Sequence, residues 1–349
     1  MPIPANSTGF LLRFALPIIA LLVALGGCSG GDWHLTGATM GTTYSVRIVA
    51  PETDTGAKEL QSEIDAELSR ITALMSTYVD DSQLSRFNSS DSGDWVSVDS
   101  DVVAVVDAAL RASAISDGAF DPTVGPLVEL WGFGRAGPRD TAPPQSEIDA
   151  AMATVGFGLV STREEPPALR KLAPAVALDL SALAKGYAVD RIDWLLDSRG
   201  LTRYMIEIGG EVKTRGRNQD GEPWRIAVER PLEAERSVYT VLQLSGEAIA
   251  TSGDYRNFFE IDGRRYFHAI DPRSGQPAGN DLASVTIVAS SAMEADAMAT
   301  AMLVLGPDKG MRLANEQRLA ALFLRRDGDE IVARHSQAFT PYLADGDAK

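Results

Sequence analysis

A single cysteine, Cys28, stands in a chain of 349 residues, so no disulfide can close within the chain and no multi-cysteine metal site can form. The body must be held by its hydrophobic core, and 45% hydrophobic residues supply the material for one. A chain of this length suits one large domain or two small ones. With 48 acidic against 32 basic side chains the formal net charge is −16, and no block of Lys and Arg is dense enough to follow a phosphate backbone. Nucleic acid is therefore not an expected partner. An acidic chain can still bind an anionic nucleotide where a metal ion, a local lysine and backbone N–H groups reverse the potential.

The run from Phe14 to Leu25, preceded by Arg13 and interrupted by Pro17, is too short for a permanent membrane span and suits a signal peptide. It ends in Leu25-Gly26-Gly27-Cys28, which resembles the bacterial lipobox, with an incidental cysteine after an ordinary signal peptide as the alternative. The expected layout is a signal peptide over 1–27, a lipid-bearing Cys28 opening a linker over 28–31, and one structural unit over 32–345. The protein is expected to be exported and anchored by lipid on the periplasmic side of a membrane. Ser29 permits outer-membrane sorting.

Periodicity predicts helices over 58–75, 100–116, 181–199 and 292–305, the third ending at Gly200 as a C′ residue. Strand-like runs cover 42–49, 176–180, 204–208, 224–229, 239–244, 284–289, 320–324 and 331–333. Asp262-Gly263 between 258–261 and 264–270 signals a hairpin. Irregular alternation with several hairpins predicts an α+β class with mixed, partly antiparallel sheets, one unit made of two subdomains sharing a cleft.

Of three histidines, His34 and His335 lie near the ends, and only His268, in Tyr266-Phe267-His268-Ala269-Ile270-Asp271-Pro272, stands where a strand runs into a tight turn. Imidazole there can accept a hydroxyl proton, or it is a polar sheet residue without a role. Asp296 and Thr300 are i and i+4 on a predicted helix, so their oxygens point the same way, as a Mg²⁺ site or as a helix-start acid with a back-bonded Thr. Asp179-Leu180-Ser181-Ala182 opens the 181–199 helix, where free N–H groups favour anions and Lys185 adds positive charge or is merely solvated. Met40-Gly41-Thr42, Tyr78, Asp117-Gly118-Ala119-Phe120-Asp121, Glu207-Ile208-Gly209-Gly210-Glu211 and Thr251-Ser252-Gly253 are individually weak signals, compatible with a flat aromatic ligand or with turns and core filling.

Taken in order, Met40-Gly41-Thr42, Tyr78, Asp117-Gly118-Ala119-Phe120-Asp121-Pro122, Asp179-Leu180-Ser181-Ala182-x-x-Lys185-Gly186-Tyr187, Thr251-Ser252-Gly253, His268-x-Ile270-Asp271-Pro272 and Asp296-Ala297-x-x-Thr300 resemble the ApbE family of FAD:protein FMN transferases over nearly the whole mature chain. The resemblance implies an ApbE-like fold and an FAD pocket lined by Met40, Tyr78, Ala119, Phe120, Asp121, Asp179, Lys185 and Ile270. It implies Mg²⁺ held by the Ala182 carbonyl, Asp296 and Thr300, with His268 as base. Ala182 departs from members with Thr there, and some members carry Glu where Lys185 stands. The implied reaction is attack of an acceptor threonine on the FMN-side phosphorus of FAD, with AMP leaving. Implied acceptors include subunits of sodium-pumping NADH:quinone reductase and of Rnf-type complexes, and the family's usual place is the inner membrane. Two rivals are an FAD pyrophosphatase releasing free FMN and a non-enzymatic FAD-binding lipoprotein.

Overall fold

Two left-handed residues decide how the chain enters its sheet. Met40 and Gly41 (φ 47° and 72°) form the two-residue turn joining strand β1 (Trp33–Thr39) to β2 (Thr42–Ile48), the backbone that matches the twist of paired strands. The computed structural model describes residues 31–343 apart from 52, 54, 55, 136, 233–236, 256, 257, 262, 263 and 329. The assignments to the signal peptide, Cys28 and Ser29, and the tip Asp262-Gly263, lie outside these residues.

Helices α1 (Ala57–Met75) and α2 (Gln83–Ser89), strand β3 (Val96–Ser97) and helix α3 (Ser100–Ile115) follow. Short helices α4 (Gly125–Leu130) and α5 (Gln145–Met152) precede β4 (Val160–Arg163) and β5 (Ala168–Lys171). Helix α6 (Ser181–Ser198) leads to β6 (Tyr204–Ile208), β7 (Glu211–Arg215), β8 (Trp224–Glu229), β9 (Val238–Leu244) and β10 (Ala248–Gly253). Then come the pairs β11 (Phe258–Ile261) with β12 (Arg264–Phe267) and β13 (Ile270–Asp271) with β14 (Gln276–Pro277). Strand β15 (Leu282–Ala289), helix α7 (Ala292–Glu316) and strands β16 (Ala320–Asp327) and β17 (Glu330–His335) complete the order.

Eight strands form the main sheet in the order β1-β2-β6-β7-β10-β15-β16-β17, and its described pairings are antiparallel. Side-chain alternation divides its two faces. Tyr44, Val46 and Ile48 of β2, Ala248 and Ala250 of β10, and Ala321 and Phe323 of β16 join the large core under α1, α3, α6 and α7. The intervening Ile249, Ala320, Leu322 and Leu324 join a second core with the β8–β9 hairpin and Phe339. A third, small cluster of Leu127, Trp131, Ile148, Ile261, Tyr266 and Ile270 is built by α4, α5 and the hairpins after β10. The mixed helix-and-sheet class agrees with expectation.

Two expectations need correction. The run 176–180 is not a strand: it makes no ladder, because the Asn88 side chain acts as its neighbour, donating from Nδ2 to the Leu178 carbonyl and accepting the Leu178 N–H at Oδ1, both at 2.8 Å. The helix expected over 292–305 continues to Glu316 after a break at Gly306 (φ 79°), where Pro307 restarts it. Pro suits the first turn of a helix, where its missing N–H has no partner to lose.

Candidate active site at the crossing of two helices

The site grows from the closeness of α6 and α7. A Cβ added at Gly186 would lie 2.3 Å from the Ala292 carbonyl oxygen and 2.7 Å from Met293 Cα, so only glycine lets α7 begin against the flank of α6. Asp190, one turn further along α6, fastens this crossing. Its carboxylate accepts from Ser291 Oγ (2.7 Å), the Ala292 N–H (2.8 Å) and the Met293 N–H (3.0 Å), satisfying the free donors at the start of α7. Burial pushes the Asp190 carboxyl up while these bonds pull it back.

The crossing brings predicted residues together. The Gly186 N–H, whose ordinary helical acceptor is the Ala182 carbonyl four residues earlier, donates to Asp296 Oδ2 at 3.2 Å. Lys185 Nζ lies 3.7 Å from Asp296 Oδ2 and 3.3 Å from Glu211 Oε1. Thr300 Oγ1 shares a hydrogen bond with Ser252 Oγ at 3.0 Å. The Gly209-Gly210 turn between β6 and β7 packs onto the same lysine, since a Cβ on Gly209 (φ 63°) would stand 3.2 Å from Lys185 Cδ and 2.9 Å from Thr42 Cγ2. Three segments separated in sequence, carrying Lys185, Gly209 with Glu211, and Asp296, thus meet at one lysine.

The two carboxylates of this cluster are all but closed from water, Asp296 3% and Glu211 4% exposed, while the Lys185 side chain keeps 29% of its surface. Burial pushes both carboxyls above the usual range, and for Glu211 the neighbouring Asp296 adds to it. Burial opposes charge on Lys185 as well, but Asp296 and Glu211 outweigh it and hold the ammonium more firmly protonated than usual. Glu211 Oε2 is buried without a hydrogen-bond partner among the described residues. An orphaned oxygen and two buried carboxyls beside a single ammonium are conditions that a hard cation would relieve. Asp296, the Thr300 hydroxyl and the Ala182 carbonyl are oxygen donors of the type Mg²⁺ takes, alongside substrate phosphates and water. Among the described residues no group of three or more His, Cys, Asp or Glu gathers as a metal cluster, and this donor set contains only one such residue.

A second group adjoins the start of α6. Asp179 Oδ1 accepts the Ser181 N–H (2.8 Å) and the Asp179 N–H donates to the Pro122 carbonyl (2.7 Å), tying the helix start to the segment 117–124. That segment turns on Asp117 and Gly118 (φ 52° and 72°). Ala119 and Phe120 are buried in the large core. Asp121 uses one carboxylate oxygen for the Thr123 N–H and hydroxyl (2.8 and 2.6 Å) and the other for the Phe157 N–H (2.7 Å). Its side chain therefore builds the loop, and burial pushes its carboxyl up despite those bonds. Tyr78 is 63% exposed, a large ring left in solvent, and partial burial followed by the charges of Asp179 and Glu129 pushes its phenol up. Met40 sits half-buried at its left-handed turn, packed against the large core.

His268 is exposed just after β12, between Phe267 and Ala269, which belong to the large core. Its alternating neighbours Tyr266 and Ile270 belong to the small cluster, and Phe133 meets the imidazole edge-on at 6.5 Å between centroids. His268 thus stands at the seam of two cores, with Ile270 two residues beyond at the start of β13. The Trp131 indole N–H donates to the Gly275 carbonyl at 2.8 Å, fixing the turn that follows β13.

Glu211, Ser252, Asn88 and Asp190 were not singled out by the sequence as site-building residues. Glu211 and Ser252 fell only within the turn-like Gly209-Gly210-Glu211 and Thr251-Ser252-Gly253 pieces, and no spacing linked either to Lys185 or Thr300.

A family model described as "ApbE family" matches residues 40–323. The FAD:protein FMN transferase of Vibrio cholerae is 42% identical over 335 residues, covering 95% of this chain and all of that protein. The FAD:protein FMN transferase of Escherichia coli K12 is 39% identical and covers 88% of each chain. Among solved structures, the flavin transferase ApbE from Vibrio cholerae superposes with a TM-score of 0.83 at 41% identity, over 89% of this chain and 99% of that one. An ApbE protein from Thermotoga maritima gives 0.80 at 30% identity, over 90% of this chain and all of that one.

Proposed function

The chain belongs to the ApbE family, and we propose that it is an FAD:protein FMN transferase that attaches the FMN half of FAD to a threonine of an acceptor protein, releasing AMP. The observation that carries this reading is the cluster of buried Glu211 and Asp296 with the partly exposed Lys185 beside the start of α6, where charge and donors suit a diphosphate with its cation.

In this reading the threonine Oγ forms a bond to the FMN-side phosphorus, the bridging P–O bond breaks, and its electron pair leaves on AMP. His268 Nδ1 or Nε2 takes the hydroxyl proton. Tyr78 and Met40 cover the flat flavin, and the backbone of 119–121, Asp179 and Ile270 set its orientation in the cleft between the large core and the small cluster. Lys185 and the N–H groups opening α6 face the diphosphate. Mg²⁺ held by Asp296, Thr300 and the Ala182 carbonyl would neutralise charge on the diphosphate oxygens. We place the enzyme outside the cytoplasm, anchored through Cys28. The acceptors in this proposal are subunits of membrane NADH:quinone reductase or Rnf-type complexes.

Incubating the soluble domain with FAD and Mg²⁺, with and without an acceptor domain, tests the reading. The expected result is yellow fluorescence on the acceptor in a denaturing gel, with AMP released in equal amount and an FMN mass added to a threonine peptide. Free FMN with no labelled acceptor would make it a pyrophosphatase. Bound but intact FAD would make it a carrier.

A further inference from the structure

Glu211 enters no step above, yet it is buried and pairs through only one of its two oxygens among the described residues. Its Oε1 sits 3.3 Å from Lys185 Nζ, while Asp296 Oδ2 sits 3.7 Å from the same nitrogen. Its Oε2 has no hydrogen-bond partner among the described residues. The strand carrying it begins directly after the Gly209-Gly210 turn, and Gly209 rests against the Lys185 stem. Lysine and carboxylate are thus held from two sides.

We propose that Glu211 is a positioning residue for the cation site: by pairing with the Lys185 ammonium it draws that charge off Asp296 and leaves the Asp296 carboxylate to bind a divalent cation. The inference rests on the metal assignment of the proposed function and deepens it.

The physical case is a competition for one carboxylate. An ammonium beside Asp296 is a built-in rival of any metal, since both seek the same oxygen and repel each other. Water screens that repulsion weakly at Asp296, which is 3% exposed, although the Lys185 side chain keeps 29% of its surface. A second carboxylate within 3.3 Å of the ammonium offers it another partner and offsets its charge. With Glu211 made neutral, Lys185 has Asp296 as its sole carboxylate among these three and closes on it. With Lys185 removed there is no ammonium left for Glu211 to draw off Asp296, so replacing Glu211 by an isostere should then change nothing.

The test is titration of Mn²⁺ alone, followed by the electron paramagnetic resonance signal of free Mn²⁺, so that no turnover is needed. Glu211→Gln should weaken Mn²⁺ binding roughly tenfold or more, as expected for uncancelling a buried charge. Lys185→Met should tighten it, and Glu211→Gln in the Lys185→Met background should be silent. Circular dichroism melts confirm that each variant is folded, and the double variant separates charge pairing from damage to β7, which would weaken binding in both backgrounds alike. Unchanged affinity in Glu211→Gln, or an equal loss in both backgrounds, overturns the inference while leaving the metal assignment standing. A wild-type protein that quenches FAD fluorescence yet shows no Mn²⁺ site overturns both.

Discussion

Asp296 and His268, the side chains on which the proposed chemistry leans most, have surroundings of opposite kind. Asp296 is 3% exposed and is held by a backbone N–H, an ammonium and a helix start that Asp190 clamps with three hydrogen bonds. His268 is exposed at the end of a short hairpin, above a layer in which Trp131 stacks on Tyr266 (5.2 Å) and Phe133 on Phe259 (4.7 Å). One half of the site is a polar device inside the core, and the other is presented on an aromatic shelf. A group that must hold a cation gains from exclusion of water, whereas a base that must reach another protein's hydroxyl needs access. The difference teaches that stability and reactivity are divided between the two halves.

The largest expected effect tests the reactive half. His268→Ala should slow acceptor labelling by about 10²–10⁴-fold, the usual contribution of a general base, while lowering Tm less than changes at the helix crossing do. In-gel flavin fluorescence over time reads the rate; labelling at the wild-type rate would remove His268 from the mechanism.

Changes at the crossing should act on stability first. Gly186→Ala places a methyl 2.3 Å from the Ala292 carbonyl oxygen, and since backbone must yield, a loss of about 1–3 kcal/mol is expected. Calorimetry should show a Tm lower by several degrees, and a melt matching wild type would mean that α7 does not start where the close approach requires. Asp190→Ala leaves the Ala292 and Met293 N–H groups without their acceptor and should cost about 1–2 kcal/mol, as loss of a helix cap does. Urea unfolding measures it, and an effect on FAD affinity larger than on stability would contradict its role as a clamp.

The smallest effect concerns the approach to α6. Lys171 is 1% exposed, and its Nζ donates to the carbonyls of Asn88 (2.7 Å), Pro174 (2.8 Å) and Val176 (3.2 Å), holding the segment that Asn88 then pairs. Burial lowers its pKa below the ordinary 10.5. Between the folded and unfolded values the unfolded chain binds more protons, so this group makes stability rise with pH across the window just under 10.5. Lys171→Met should flatten that rise in urea unfolding followed from about pH 7 to pH 10. An identical slope in both proteins would rule out the lysine as its source.

Helices α1, α3 and α6 were legible to within a residue at their ends because each buries a periodic apolar face. The His268 hairpin was legible from a turn signal between apolar runs. Strands β7 and β10 were not, and they carry Glu211 and Ser252. Their sequences, Glu211-Val212-Lys213-Thr214-Arg215 and Ala248-Ile249-Ala250-Thr251-Ser252-Gly253, are polar or small-residued where strands usually show branched apolar alternation. Partners far along the chain make up for this: Lys213 Nζ donates to the Ser290 carbonyl, and Thr251 and Thr286 share a hydrogen bond of 2.8 Å.

By itself the sequence determined the mixed helix-and-sheet class, the reliance on a core without disulfides, most of the long elements, and the motifs that place the chain in its family. Local periodicity and turn chemistry act between near neighbours, and these features are written at that range. Only the tertiary structure decided that Lys185 would meet Glu211 as well as Asp296, that Asn88 would stand in for a strand, and that Asp190 would cap a helix about a hundred residues away. Each is a contact between residues far apart in the chain, and its strength comes from burial and charge, which no single segment carries alone.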